Sequence, residues 1–233
     1  MNGSVLIDRV SYLAAAFVFF FLSICMAAPG PQTEDRDTKM LWAFGAIRAS
    51  SNPLEVESVG AQMALSSGDK LKMMIQIKRR CFVYVIHKDT EGNLTLLFPY
   101  SIKQFDTDYQ TSSKYYAPKG DAWFQLDDRK GREIFYLIAS DQRLLDIEYT
   151  YQEYASSIPP KKQDLAEQMI AKLDGITQTH LTSPAGADTP VDARVATRGF
   201  ERATGADPTD ITQLARAITF DTTYSETFVI DHR

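Results

Sequence analysis

Between Gly68 and Ser140 the chain carries its only sustained, strongly patterned apolar content. Leu71, Met73, Ile75 and Ile77 alternate with Lys72, Gln76 and Lys78, with Met74 the one exception. A period of two places successive side chains on opposite faces and predicts a half-buried strand. In Cys81-Phe-Val-Tyr-Val-Ile86 both faces are apolar, and β-branched and aromatic residues dominate. That run predicts a strand covered on both sides. Leu94–Phe98 predicts a third strand, joined to the second by Asp89-Thr-Glu-Gly-Asn93 as a hairpin and closed by Pro99, which cannot donate to a ladder. Ala122–Leu126 and Glu133–Ala139 predict two more strands, and Asp127–Arg132 between them reads as a second hairpin.

The flanks add elements of both periods. Met40–Ile47 reads as a strand with Trp42, Phe44 and Ala46 on one side and Leu41, Ala43, Gly45 and Ile47 on the other. Leu54–Val59 reads as a weak strand, and Ser67-Gly-Asp69 as a turn. After Ser140 the period becomes helical. Asp141–Ala155, capped by Ser140 or Asp141, presents Leu144, Ile147, Tyr151 and Tyr154 on one stripe. Pro159-Pro160 separates it from a second helix over 161–174, where Leu165, Met169 and Leu173 recur every four residues beside Ile170 and Gly175 provides a stop. Thr182–Asp192 reads as a loop, Val195–Arg202 as a strand, and Ala215–Phe220 with Glu226–Ile230 as a C-terminal hairpin. The predicted class is mainly β (α+β): an antiparallel β-sandwich, Ig-like or open-barrel-like, with two amphipathic helices on it and that hairpin completing the sheet.

Several phrases occur in a familiar order: Ser67-Gly-Asp-Lys-Leu71, Tyr84-Val-Ile, Gly92-Asn-Leu-Thr-Leu-Leu-Phe-Pro99 and Gly131-Arg-Glu-Ile134. Over residues 65–140 the chain resembles the bacterial family catalogued as domain of unknown function 4384. The resemblance implies an accessory module, of the kind found alone on exported proteins or beside signalling and protease-like domains. It implies no assigned activity.

Residues 1–28 read as a signal peptide or N-terminal anchor: Arg9 precedes an uncharged run from Leu13 to Ile24, and Cys25 and Ala27 suit cleavage before Ala28. Lipidation at Cys25 and an uncut anchor are the alternatives. The remaining organisation is a linker at 29–39, a sandwich core at 40–140, a two-helix segment at 141–176, and loop and C-terminal strands of the same domain at 177–233. These features place the protein outside the cytoplasm, in the periplasm or cell envelope. About 205 residues remain for one domain with a core. A net charge of −5 without a basic block argues against nucleic acid as a partner. With Cys25 and Cys81 the only cysteines, loss of the leader leaves no intramolecular disulfide.

Few residues offer catalytic chemistry. Cys81 and His87 share a face of one strand but stand roughly 20 Å apart, so they form no dyad; Cys81 reads as a small buried hydrophobe unless His180 or His232 approaches it. The histidines lack metal-ligand spacing, and Asp106/Asp108 and Asp127/Asp128 lack a calcium-loop pattern, so no metal or other cofactor is expected. The long insert 100–121 carries Tyr100, Tyr109, Tyr115 and Tyr116 among small polar residues, a composition suited to an adaptable contact surface. Tyr115 and Tyr116 read equally as a short covering strand. The expected function is an exported, non-enzymatic binding or scaffolding module for a protein or envelope component, touching membrane only through an uncut or lipidated N-terminus. A small hydrolase using Cys81 or a carboxylate pair, and a purely structural envelope protein, are the alternatives.

Overall fold

Two sheets and a pair of helices stack in three layers in the computed structural model, which describes residues 38–181, 188–190 and 209–233. The chain divides into units Met1–Thr33 and Glu34–Arg233, and all described residues belong to the second. The predicted leader and the strand predicted at Val195–Arg202 lie outside them.

In chain order the strands are β1 (Met40–Ile47), β2 (Val56–Ser58), β3 (Gln62–Leu65), β4 (Lys70–Ile77), β5 (Phe82–Lys88) and β6 (Leu94–Phe98), then β7 (Lys114–Ala117), β8 (Phe124–Gln125) and β9 (Gly131–Ser140). A short helix α1 (Gln104–Thr107) lies between β6 and β7, and α2 (Leu145–Ser156) and α3 (Lys161–Leu181) follow β9. The chain closes with β10 (Asp188–Pro190), a 3₁₀ turn at Ile211–Leu214, β11 (Arg216–Ile218) and β12 (Thr223–His232). One sheet runs β10-β11-β1-β4-β7, with β2 also on β1 and β8 also on β4; the other runs β3-β12-β9-β5-β6. All pairs are antiparallel except β3 with β12, so this is a sandwich of two open sheets.

The predicted alternation sets the faces. Trp42, Phe44 and Ala46 of β1 and Leu71, Met73, Ile75 and Ile77 of β4 meet Val83, Val85, Phe135, Leu137, Phe228 and Ile230 of the second sheet. The aromatic rings interlock at the centre, with Trp42 5.1 Å and Phe44 5.3 Å from Phe228. Tyr84, Ile86, Tyr136 and Ile138 point the other way, onto Ile147, Tyr154, Leu165, Met169 and Leu173 of the helices. This is why β5 is apolar on both faces. Met74, the exception to the alternation, packs with Ala43 and Ile211 on the outer face of the first sheet. Gly45 allows this layer to close, because a Cβ there would lie 2.8 Å from both Ile211 Cγ2 and Val56 Cγ1. Both neighbours are β-branched and stiff, so Gly45→Ala is expected to destabilise by about 1–3 kcal/mol, read from the urea midpoint.

Several expectations are corrected. Asp127–Arg132 is not a hairpin: β8 pairs with β4 in one sheet, whereas β9 lies between β5 and β12 in the other. Strand β9 is apolar on both faces and takes a central position, which leaves it no edge for β8. The C-terminal hairpin is likewise a crossover, since β11 pairs with β1 and β12 with β9. Helix α2 starts at Leu145 rather than Asp141; its leading Leu144 N–H donates to the Tyr84 hydroxyl (3.0 Å), a cap from sixty residues away. Gly175 does not end α3, which continues to Leu181 with Ile176 packed against the core below the helices. The predicted loop 182–192 contains β10.

Candidate functional site

The insert tyrosines are joined to backbone rather than gathered as an exposed surface. Tyr115 is buried, and its hydroxyl accepts from the Gln110 N–H at 2.7 Å. The Tyr109 hydroxyl accepts from the Val83 N–H at 3.0 Å, on a stretch of β5 that β6 does not reach. The Tyr100 hydroxyl accepts from the Tyr116 N–H and donates to the Tyr116 carbonyl, as a neighbouring strand would along β7. The Tyr116 ring lies beside the Lys72 ammonium, 5.0 Å away, so Tyr115 and Tyr116 do form the covering strand. On β6, the N–H groups of Leu94 and Leu96 donate to the Tyr154 and Tyr151 hydroxyls. Open edges invite pairing with other chains, and here tyrosines occupy them.

Cys81 is buried among apolar side chains, and burial pushes its thiol up to about 12. Enclosure and a raised thiol both work against Cys81 as a nucleophile, because the thiolate is the attacking form. Asp106 is paired with Arg143 and Asp127 with Arg129. Among the described residues no group of three or more His, Cys, Asp or Glu is placed to hold a metal ion.

Polar chemistry converges elsewhere, where three inward-facing strand registers run out of apolar residues. Val83 and Val85 are followed by His87, Phe135 and Leu137 are preceded by Glu133, and Phe228 and Ile230 are followed by His232. The strand pairings bring the three together. His87 Nε2 lies 2.8 Å from Glu133 Oε2, with its ring stacked on Phe135 at 4.5 Å. His232 Nδ1 lies 3.6 Å from Glu133 Oε1, a charge contact too long for a hydrogen bond. The side chain of His232 is 0% exposed and that of Glu133 12%. At its other nitrogen, His232 Nε2 is 3.1 Å from Ser67 Oγ. Among the described residues His232 Nδ1 is buried without a hydrogen-bond partner, and the tautomer sets which of Nε2 and the Ser67 hydroxyl donates. Ser67 opens the Ser-Gly-Asp turn; Gly68 takes φ +91, and the buried Asp69 carboxylate accepts the amides of Ala49 and Ser66. The signal in the sequence was a polar residue ending each of three core-facing alternations.

A cleft of about 240 Å³ opens beside this network, between β8 of one sheet and β5, β6 and β9 of the other. Leu71, Leu97, Phe124 and Phe135 supply apolar lining, and His87, Glu133, Gln125, Asp89, Asp127 and Arg129 supply polar groups. Burial pushes the Asp89 carboxyl up, but hydrogen bonds from the Asn93 side chain and amide and the Glu91 amide outweigh it and hold it below the usual range. The Arg129 amide and guanidinium hold Asp127 low as well. Three carboxylates face one guanidinium, so the lining carries an acidic excess. A depressed folded pKa adds stability above the unfolded value, about 3.9, and that contribution disappears as pH falls through the lower folded value. Asp89→Asn should therefore lower the melting temperature at pH 7, with the gap to wild type closing as pH falls below the ordinary carboxylate range.

Residues 64–143 match the family model described as "Domain of unknown function (DUF4384)". The matched stretch spans β4 to β9 and includes both the Ser67 turn and the His87–Glu133 pair. No curated protein and no solved structure matches the chain. Among the described residues no helix is long and apolar enough to cross a membrane.

Proposed function

We propose that this protein is a non-enzymatic binding module of the bacterial cell envelope, exported by its N-terminal segment, and that the cleft beside His87 and Glu133 receives a basic group of a protein or envelope partner. The observation that carries the reading is the cleft's composition. An apolar floor with a few convergent polar groups is the ordinary form of a ligand site, and its carboxylate excess selects a cation. Phe124 and Phe135 would receive the aliphatic stem of a lysine or arginine. NMR titration with N-acetyl-lysine amide and with N-acetyl-glutamate amide tests it. Shifts of the His87 ring signals with the lysine compound alone are expected, lost in Glu133→Gln. No shift, or equal shifts with both compounds, removes the cleft from consideration.

A second reading is acyl transfer at Ser67, favoured by the serine–histidine–carboxylate order of Ser67, His232 and Glu133. Against it, the His232 ring is enclosed and Ser67 does not line the cleft. A fluorophosphonate probe that labels the native protein and not Ser67→Ala would favour the enzyme; an unlabelled protein retires it.

A further inference from the structure

Lys78, Arg79 and Arg80 form the longest uninterrupted run of basic residues in the chain, and all three are exposed on the turn between β4 and β5. None is held by an acidic neighbour among the described residues, unlike Arg129 and Arg143. The amides of Lys78 and Arg79 both donate to the Lys39 carbonyl, at 2.9 and 3.0 Å. The turn is thus stitched to the place where the chain arrives from its N-terminal part, one residue before β1. Beside it lies a groove of about 510 Å³, where Arg80 faces Gln110, Thr111, Phe82 and Phe105, and where the ion-paired Arg143 and Asp106 also line the wall. The Arg80 guanidinium, polar donors and aromatic walls suit a phosphate joined to an apolar body. The acids of this end are Asp106 in α1, Asp108 after it, Asp141 after β9, Glu148 in α2 and Asp221 before β12; Asp106 and Glu148 are both paired with Arg143.

We propose that the Lys78–Arg80 turn and the groove beside it form a contact surface for anionic phospholipid headgroups, on the bilayer that the N-terminal segment reaches. Export as read above explains only why a bilayer is near; the cleft at the opposite end plays no part. The nine residues from Pro29 to Asp37 span at most about 30 Å when extended. With the leader uncut, the anchor alternative given above, that length bounds the distance from the bilayer to the start of the described residues. Proximity matters, because the attraction decays within roughly 10 Å at moderate salt. A basic residue beside an anionic bilayer strengthens binding by about fivefold, so three together give a factor on the order of 100.

The test is flotation of the full chain with vesicles of phosphatidylcholine alone and of phosphatidylcholine mixed with phosphatidylglycerol. Insertion of the apolar N-terminal run contributes to both, so the ratio of affinities isolates the charge effect. Wild type should prefer the anionic vesicles by on the order of 100-fold at low salt and less at high salt. Lys78→Gln/Arg79→Gln/Arg80→Gln should remove the preference with an unchanged melting temperature, while Lys130→Gln, on the loop at the opposite end, keeps it. Equal affinity of wild type for both vesicles, a preference that survives the triple change, or one lost equally in Lys130→Gln would overturn the proposal.

Discussion

Replacing Tyr109 by alanine is expected to lower the unfolding free energy by about 3–5 kcal/mol, the range for truncating a packed aromatic ring. Read from sequence, this residue belonged to an adaptable contact surface. In the structure its ring stacks on Tyr115 (6.0 Å between centroids) and meets Phe105 edge-on at 4.9 Å, with Phe98 at 6.0 Å. Its hydroxyl is the partner of the Val83 N–H, on a fully buried residue of β5. Truncation therefore opens a void and strands a buried donor. Tyr109→Phe separates the two effects: it keeps the ring, loses only the hydrogen bond, and should cost about 1–3 kcal/mol. Urea denaturation of both variants decides. A Tyr109→Ala protein as stable as wild type would return the insert to the role of a free contact surface.

Arg143→Ala is expected to cost a similar amount, roughly 3–5 kcal/mol, from a different cause. Glu148 is on the buried face of α2, and its carboxylate accepts from the Tyr84 hydroxyl (2.6 Å) and from Arg143 Nε (3.0 Å) and Nη2. Arg143 also reaches Asp106 of α1 through Nη1. Its guanidinium is held above its already high range, first by the hydrogen bond to Glu148. Removing the arginine leaves a carboxylate enclosed without a counter-charge. Removing both charges should be milder, because an apolar pair of similar size can replace a buried ion pair at little cost. Arg143→Met/Glu148→Leu should therefore be more stable than Arg143→Ala. A double-mutant cycle in which the two losses simply add would refute this account. With total stability of about 5–15 kcal/mol for a domain, either single change is large enough to shift the chain toward unfolding at growth temperature.

The candidate cleft was only partly legible. The β5 run Cys81–Ile86 announced a strand covered on both sides, and Val83 and Val85 do face the other sheet while Tyr84 and Ile86 face the helices. The helix stripes at Ile147, Tyr154, Leu165, Met169 and Leu173 met that second face. His87 and Glu133, however, lie 46 positions apart and became neighbours only through the register of β5 against β9. His232 joined them through β12, an apparent half of a hairpin that instead crosses to the other sheet. The tyrosines misled because a composition suited to recognition also suits edge sealing. A ring that packs and a hydroxyl that meets a strand amide serve either purpose.

What the sequence determined alone was local: strand and helix period, the faces of each element, the Asp89–Asn93 hairpin, and the family phrases later matched over residues 64–143. These follow from side-chain geometry within a few residues. Tertiary structure decided which sheet each strand joined, where α2 begins, and which polar groups meet at the cleft. A loop such as Asp127–Lys130 has the same turn chemistry whether it folds back on its neighbour or crosses a sandwich. The choice rests on which strand edges are still open, and that depends on pairings made by residues far away in the chain.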